Sequence, residues 1–176
     1  MAAVNFIVED GTGLTDSTSY ISVDDADQYA LDLGVTWLTG SDQKKKKQAL
    51  NAAAQWIDEY FAPWKGYRSN EDQALRWPRE GVVDDDNYDI QSDEIPNKLK
   101  DATVEAAIYW TDNGKLFPAA DNGGQLSVSK IQIDVIKIEK EFTGSSKSAT
   151  INAKIWNLLQ DYMGTGKGIN SELKRG

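Results

Sequence analysis

The sequence contains no cysteine and no histidine, and these two absences exclude several kinds of functional site. Without cysteine there can be no disulfide bond and no thiolate ligand for zinc. Without histidine the chain lacks the usual general base near neutral pH, so Ser-His-Asp and Cys-His catalysis cannot occur within it. We therefore expect neither a disulfide-stapled module nor an enzyme of these classes.

Positive charge and long apolar runs are also scarce. The chain has 19 Lys and Arg against 28 Asp and Glu, a formal net charge of -9. Proteins that bind nucleic acid usually present a basic face, so this balance disfavours that class without excluding a local basic patch. No apolar run approaches the roughly 20 residues of a membrane span, and the start, MAAVNFIVEDG, does not resemble a signal peptide. We expect a soluble protein made in the cytoplasm, with no membrane partner.

Apolar residues recur at helical spacing in several separate segments, and a chain of 176 residues can bury a core without cross-links. The predicted fold class is mainly α: a small helical bundle with an extended β strand or hairpin segment and a C-terminal arm. We expect the bundle in residues 1–118, the β segment with its linkers in 119–147, and the C-terminal helix and flexible arm in 148–176. The predicted helices begin at Ser22, at Ser41, at Ser69 or Asn70, at Ile95 and at Ile151.

Two predicted elements carry more apolar surface than they can cover by themselves. The helix near Ile95 is apolar on two sides, so it lies between neighbouring helices or faces another subunit. The segment LSVSKIQIDVIKIEKEF alternates as a strand does, yet few other strands are predicted to pair with it. It therefore folds into a hairpin or pairs with another chain. Its apolar residues are Ile131, Ile133 and Val135 on one side and Ile136, Ile138 and Phe142 on the other.

The sequence GTGKG at residues 164–168 has the appearance of a phosphate-binding loop but lacks its required residues. A P-loop needs an earlier glycine, where this chain has Asp161, and Ser or Thr after the lysine, where it has Gly168. No serine or lysine stands in a nucleophile motif. We therefore expect no enzyme and no cofactor.

The acidic loop at residues 84–94, DDDNYDIQSDE, fails as an EF-hand. The required glycine is Ile90, and Pro96 stands where the motif needs glutamate. A solvated acidic loop is the simpler interpretation, and a nonstandard cation site stays open because hard cations accept any oxygen cluster.

The stretch WKGYRSNEDQALRWPREG, residues 64–81, places two of the six tryptophans beside cations and turn-forming residues. An aromatic ring beside arginine can stack a nucleotide base, or it can anchor a loop to the core. Because large aromatic side chains dominate core energetics, we predict that Trp64, Trp77 and Pro78 are structural anchors. The run Lys44–Lys47 is either a solvated helix face or a contact for phosphate or an acidic partner.

Four segments of the chain resemble, in this order, the head–tail connector (adaptor) proteins of tailed bacteriophages. They are SYISVDDADQY, AAAQWID, WKGYRSNEDQALRWPREGV and IPNKLKDATVEAAIYW. Related sequences often carry the label DnaT-like single-stranded DNA-binding protein. The resemblance covers residues 19–110 well and continues more loosely to LLQDYMGTG. Its most specific motif is Trp64-Lys65-Gly66, Gln73-Ala74-Leu75, Trp77-Pro78-Arg79 and Gly81, followed by Ile95-Pro96.

The resemblance implies a structural virion protein, made in the host cytoplasm and located in the neck at the head–tail interface. Its subunits would form a ring, typically dodecameric, that joins the portal protein to the tail or to a tail-terminator or nozzle protein. Genomic DNA would pass through the channel without specific binding, and the acidic subunits would repel it. The resemblance maps the subunit interface to Ile131, Ile133, Val135, Ile136, Ile138 and Phe142, and the portal contact to Ile169, Leu173, Lys174 and Arg175.

The alternative function, from a different class, is a single-stranded nucleic-acid-binding module. Trp64 or Trp77 would stack bases, and a steep salt dependence of binding would support this reading. The net charge and the unpaired strand favour the connector over this alternative. The residues that would contact the phosphate backbone of the nucleic acid are Lys44–Lys47, Arg68, Arg76 and Arg79.

Overall fold

A computed structural model describes residues 4–38, 42–84, 86–113 and 146–164, and this part of the chain is mainly helical, as the sequence predicts. The helices are α1 (Val23–Asp32), α2 (Gln43–Tyr60), α3 (Asn97–Asn113) and α4 (Ser146–Leu159), followed by a 3-10 helix (Gln160–Tyr162). The strands are β1 (Tyr67–Arg68), β2 (Arg79–Glu80), β3 (Val82–Val83) and β4 (Asp89–Ile90).

Helix α3 lies at the centre of the fold, between α2 and α4, and α1 also packs against it. Its two apolar sides are therefore covered within one chain, and they provide no evidence for a neighbouring subunit. Buried residues on both sides of α3 include Leu99, Ala102, Val104, Ala106 and Ala107. Small alanine side chains let the helix axes approach closely, as α2 does with Ala49, Ala53 and Ala54.

The starts of α1 and α2 follow from local capping, and two predicted starts need correction: that of α2, described next, and that of α4, which begins at Ser146 and not at Ile151. Ser22 caps α1 as expected, and its hydroxyl accepts a hydrogen bond from the Asp25 N–H at 3.1 Å. Helix α2 is capped by Asp42, whose carboxylate accepts from the Lys45 N–H, and not by Ser41. An aspartate in this position also offers negative charge to the N-terminal end of the helix dipole.

The short helix predicted after Ser69 or Asn70 is wrong, because this segment forms turns. Side chains take the backbone groups that a helix would need: the Asn70 N–H donates to Gln73 Oε1, and Asn70 Oδ1 accepts from the Asp72 N–H. Gln73 Nε2 in turn donates to the carbonyls of Leu75 and Pro78. Such local side-chain bonds compete with helix formation.

Two short antiparallel strand pairs lie within residues 67–90, a stretch for which no strand was predicted from the sequence. Strand β1 pairs with β2, and β3 with β4. The first pair depends on Gly66, which has a φ of +64°. A Cβ at this position would lie 2.0 Å from the Glu80 carbonyl oxygen, so any other residue would push the strands apart.

The N-terminal loop is organised around the buried carboxylate of Glu9. Oε1 accepts from the N–H groups of Gly11 and Gly13, and Oε2 accepts from the Leu14 N–H and the Ser17 hydroxyl, all at 2.8–3.1 Å. One side chain therefore satisfies four donors, most of them buried.

We expect Glu9→Ala to lower the free energy of unfolding by about 2–3 kcal/mol, because it leaves these donors unsatisfied. Urea unfolding followed by tryptophan fluorescence measures this change. The control is Asp10→Ala, which removes an exposed carboxylate from the same loop and should cost less than about 1 kcal/mol. Equal losses in both variants would contradict the proposed role of the carboxylate.

The C-terminal helix belongs to the same core as the earlier helices. Helix α4 packs on α3, and Lys154 of α4 forms an ion pair with Glu105 of α3, which also accepts a hydrogen bond from the Tyr29 hydroxyl. The predicted subunit-interface residues 131–142 and portal-contact residues 169–175 lie outside the described residues.

Candidate functional site

Trp64 and Trp77 are buried in the core, where their side chains retain 7% and 0% of their exposure. Their rings meet edge to face with centroids 6.1 Å apart, and Trp77 makes a second such contact with Tyr162 at 5.5 Å. Pro78 is buried beside them. A nucleotide base cannot stack on either indole in this arrangement, because both ring faces are covered by protein.

Backbone hydrogen bonds on both sides of Trp64 connect two segments that are distant in the sequence. Next to Trp64, the Lys65 N–H donates to the Tyr162 carbonyl at 2.9 Å, and the Gly164 N–H donates to the Pro63 carbonyl at 2.8 Å. The segment that follows α4 is therefore attached to the segment that follows α2.

The lysine run at the start of α2 does not form one phosphate-binding face. Lys46 is buried and forms a bidentate ion pair with Asp27 at 2.7 Å, beneath the Trp37 ring. The Lys47 ammonium lies over the Phe6 ring, and Lys45 pairs with Asp42. Since three of the four cations have protein partners, the run serves mainly to hold the start of α2.

The three arginines of the alternative function lie close to one another in the β1–β2 region. The strand register pairs Arg68 directly with Arg79, so both side chains leave the same face of the ribbon. Burial, and then the charges of Arg76 and Arg68, lower the pKa of Arg79. Like charges placed opposite each other destabilise a sheet, so this register carries an electrostatic cost.

Arg79 has a structural task within this cluster. Its guanidinium is buried and donates hydrogen bonds to the carbonyl oxygens of Lys65, Gly66 and Arg76. It thereby fixes the loop that carries Arg76 against the strand that carries Arg68. Arg79 is thus bound to the protein, while the other two arginines face solvent.

The guanidinium groups of Arg68 and Arg76 are exposed and form no salt bridge with any residue that the structure describes. Arg68 makes one long contact, from Nη1 to the Gln73 carbonyl at 3.5 Å. Arg76 is held through its backbone, so its side chain is available. In a chain with nine excess negative charges, two neighbouring unpaired arginines are a local exception.

These two arginines line one side of an open cleft of about 320 Å³. Helix α2 provides the other side. The lining residues are Gln55, Asp58, Glu59, Arg68, Ala74, Leu75 and Arg76.

Asp58 lies at the floor of the cleft and connects it to the core. Its carboxylate accepts a hydrogen bond from the Tyr20 hydroxyl and another from the Arg76 N–H at 2.9 Å. The Tyr20 oxygen itself accepts from the N–H groups of Arg76 and Trp77. Burial raises the pKa of Asp58 to about 6, and the hydrogen bonds and the charges of Arg76 and Arg79 oppose the rise.

We expect this buried carboxyl to make stability depend on pH. Because the folded pKa of Asp58, about 6, exceeds its usual value of 3.8, the folded state holds the proton more tightly. The resulting stability is present below about pH 4 and is lost as the pH rises through 6, a change of about 3 kcal/mol.

Urea unfolding of the wild type and of Asp58→Asn between about pH 4 and 7 isolates this contribution, since only the wild type can titrate at this position. The difference in unfolding free energy between the two proteins should shift in favour of the variant as pH rises. A difference that stays constant with pH would contradict the raised pKa.

Gln55, Asp58 and Glu59, which line the cleft, were not predicted from the sequence, nor was Tyr20, which bonds to Asp58 from the core. A signal for Asp58 existed: it falls four residues after Ala54 and next to Ile57, on the apolar face of a predicted helix. A charged residue on a buried face is unusual and indicates a specific partner.

The acidic loop at residues 84–94 is organised by the side chain of Asp84. Asp84 accepts hydrogen bonds from the N–H groups of Asp86 and Tyr88 and so forms a local turn. Within the described ranges, no group of three or more acidic side chains is placed to hold a metal ion.

None of the helices described has the length and apolar character needed to cross a bilayer.

Comparisons with curated proteins and with solved structures give no significant match. A family model described as "Putative DnaT-like ssDNA binding protein" matches residues 4–176. That description agrees with the alternative reading of the sequence and does not mention a connector or any other virion role. Because the match spans almost the full length, the chain belongs to this DnaT-like family.

Proposed function

We propose that the chain binds single-stranded nucleic acid through the cleft between α2 and the β1–β2 region. The observation that carries this proposal is the pair of exposed guanidinium groups of Arg68 and Arg76, which form no salt bridge with the described residues, in a protein of net charge -9. Guanidinium groups recognise phosphate oxygens with two parallel hydrogen bonds. The description of the matched family supports the same class of ligand.

The proposed contact differs from the one drawn from the sequence. Trp64 and Trp77 are core residues and take no part in it. Arg79 positions the other two arginines by donating hydrogen bonds to the carbonyl oxygens of Arg76 and of Gly66, which precedes β1. Arg68 and Arg76 contact the phosphate backbone, and the polar residues of α2 face the bases. Phosphate contacts position a strand, while contacts to base edges select its sequence.

The net charge of -9 sets the strength of this binding. The rest of the surface repels a polyanion, so two arginines support only weak association at physiological salt. We expect a dissociation constant in the range of about 10⁻⁴–10⁻⁶ M that weakens as salt is added.

The test is fluorescence anisotropy with a labelled single-stranded oligonucleotide of mixed sequence, and with the same sequence as a duplex, at two salt concentrations. Tighter binding of the single strand, with a dissociation constant that rises with salt, supports the proposal. Equal binding of the duplex, or no binding of the single strand at low salt, would overturn it.

A second candidate is the structural connector ring that the resemblance implies. Several large apolar side chains are exposed, and they would favour an assembling protein if they formed a contiguous surface. Leu31 is 72% exposed, Tyr88 is 71% exposed, and Leu33 and Val35 are also exposed after α1. The partners would be further copies of the chain, the portal protein and a tail component.

Native mass spectrometry of the protein mixed with an equimolar single-stranded oligonucleotide separates the two candidates. A protein-only ring supports the connector, and a protein–oligonucleotide complex that survives moderate salt supports nucleic-acid binding. A monomer that does not bind the oligonucleotide contradicts nucleic-acid binding and is consistent with a connector that assembles only on the portal. Adding portal protein then tests whether the ring forms.

A further inference from the structure

The cleft combines two kinds of polar group on opposite sides. Arg68 and Arg76 provide donors with positive charge, while Gln55, Asp58 and Glu59 of α2 provide acceptors. A bare phosphate would be repelled by the two carboxylates. The arrangement instead suits a ligand with an anionic group at one end and hydrogen-bond donors at the other.

Resting on the proposed function, we propose that the cleft holds one unpaired nucleotide whose base carries an exocyclic amino group, that is cytosine, adenine or guanine but not thymine. The arginines bind its phosphate, and the carboxylate of Glu59 accepts a hydrogen bond from the amino group. Carboxylates recognise the cytosine N4 amino group in this way.

Glu59 is the selecting acceptor because the alternatives on α2 are less suited. Both carboxylate oxygens of Asp58 already accept hydrogen bonds, from Tyr20 and from the Arg76 N–H. Glu59 is exposed and forms no salt bridge with any described residue. It lies four residues after Gln55, so the two side chains share one helix face, at the cleft.

Thymine lacks the group that this site would bind. Where cytosine has its amino group, thymine has the O4 carbonyl, an acceptor that a carboxylate repels. The size of the cleft agrees with a single nucleotide: 320 Å³ is at the lower end of the range of about 300–1,000 Å³ for ligand pockets. A paired base would first have to leave its duplex, which explains a preference for single strands.

The experiment is an anisotropy titration of the full chain with labelled oligodeoxycytidine and oligodeoxythymidine of equal length. We expect the cytosine strand to bind about tenfold more tightly. In Glu59→Gln the preference should fall to about twofold or less, because the amide can also donate to the thymine carbonyl. The matched control, Glu71→Gln, removes an exposed acid of the neighbouring turn outside the cleft lining and should keep the full preference.

The outcomes separate this inference from the proposed function. If both strands bind equally and Glu59→Gln changes nothing, the base selection is wrong while nucleic-acid binding stands. Tighter binding of the thymine strand also overturns the base selection. If neither strand binds, both the proposed function and the inference fail together.

Discussion

Replacing Trp77 by alanine is expected to lower the free energy of unfolding by about 4 kcal/mol, a large fraction of the stability of a domain of this size. Trp77 is fully buried, and its ring contacts both Trp64 and Tyr162 edge to face. Truncation removes a large apolar side chain and leaves a cavity where three separate segments of the chain meet. Urea unfolding followed by far-UV circular dichroism measures the loss without relying on tryptophan emission.

Trp156→Ala is the matched control, since Trp156 on α4 is 45% exposed and its indole contacts the Phe61 ring. We expect it to cost about 1 kcal/mol or less. If Trp77→Ala does not fold, Trp77→Phe, which keeps an aromatic ring, should fold with a loss of about 1–3 kcal/mol. A Trp77 variant as stable as the wild type would contradict the anchoring role and return the indole to consideration as a binding residue.

The double variant Arg68→Ala, Arg76→Ala is expected to weaken single-strand binding by about 30- to 100-fold, because two charge-assisted phosphate contacts are lost. The slope of log K against log salt should become shallower by about 1.4, the value for two contacts to a single strand. Folding should be preserved, since Arg76 is held through its backbone N–H and Arg68 makes only one long hydrogen bond. Anisotropy titrations at several salt concentrations give both quantities.

Lys44→Ala and Lys100→Ala serve as controls for a general loss of positive charge. Neither lysine lines the cleft, and each substitution removes one positive charge. Each should therefore change the affinity for the single strand by less than about threefold. A loss of similar size in the lysine variants would indicate diffuse attraction instead of a site. An unchanged affinity in the double arginine variant would show that the cleft is not the binding surface.

The helical framework was predictable because its signals are local. The apolar stripe of α2, the Ser22 cap of α1 and the proline before α3 each depend on residues within a few positions of one another. The predicted helix after Ser69 failed for a related reason. Asn70 and Gln73 bond to nearby backbone groups, and periodicity alone does not register that competition.

The cleft was only partly predictable. From the sequence, Arg68, Arg76 and Arg79 were candidates for contact with the phosphate backbone of nucleic acid. They were grouped, however, with the lysine run, which is largely held by protein partners, and with two tryptophans that are buried. The sequence could not distinguish the buried Arg79 from the exposed Arg68 and Arg76. That difference arises from tertiary contacts, because the Arg79 guanidinium donates to the carbonyl oxygens of Lys65, Gly66 and Arg76, whereas Arg68 makes one long contact.

The sequence by itself determined that this protein is mainly helical, acidic, free of cysteine and histidine chemistry, and related to a recognisable family. Those properties depend on composition and on short-range patterns. Only the tertiary structure decided that Trp64 and Trp77 are covered, that Arg68 and Arg76 are exposed without a salt bridge to any described residue, and that Asp58 joins the cleft to Tyr20. Tyr20 and Asp58 are 38 positions apart, and Tyr20 and Arg76 are 56 apart. Contacts over such separations follow from how the helices pack, and no local pattern specifies them.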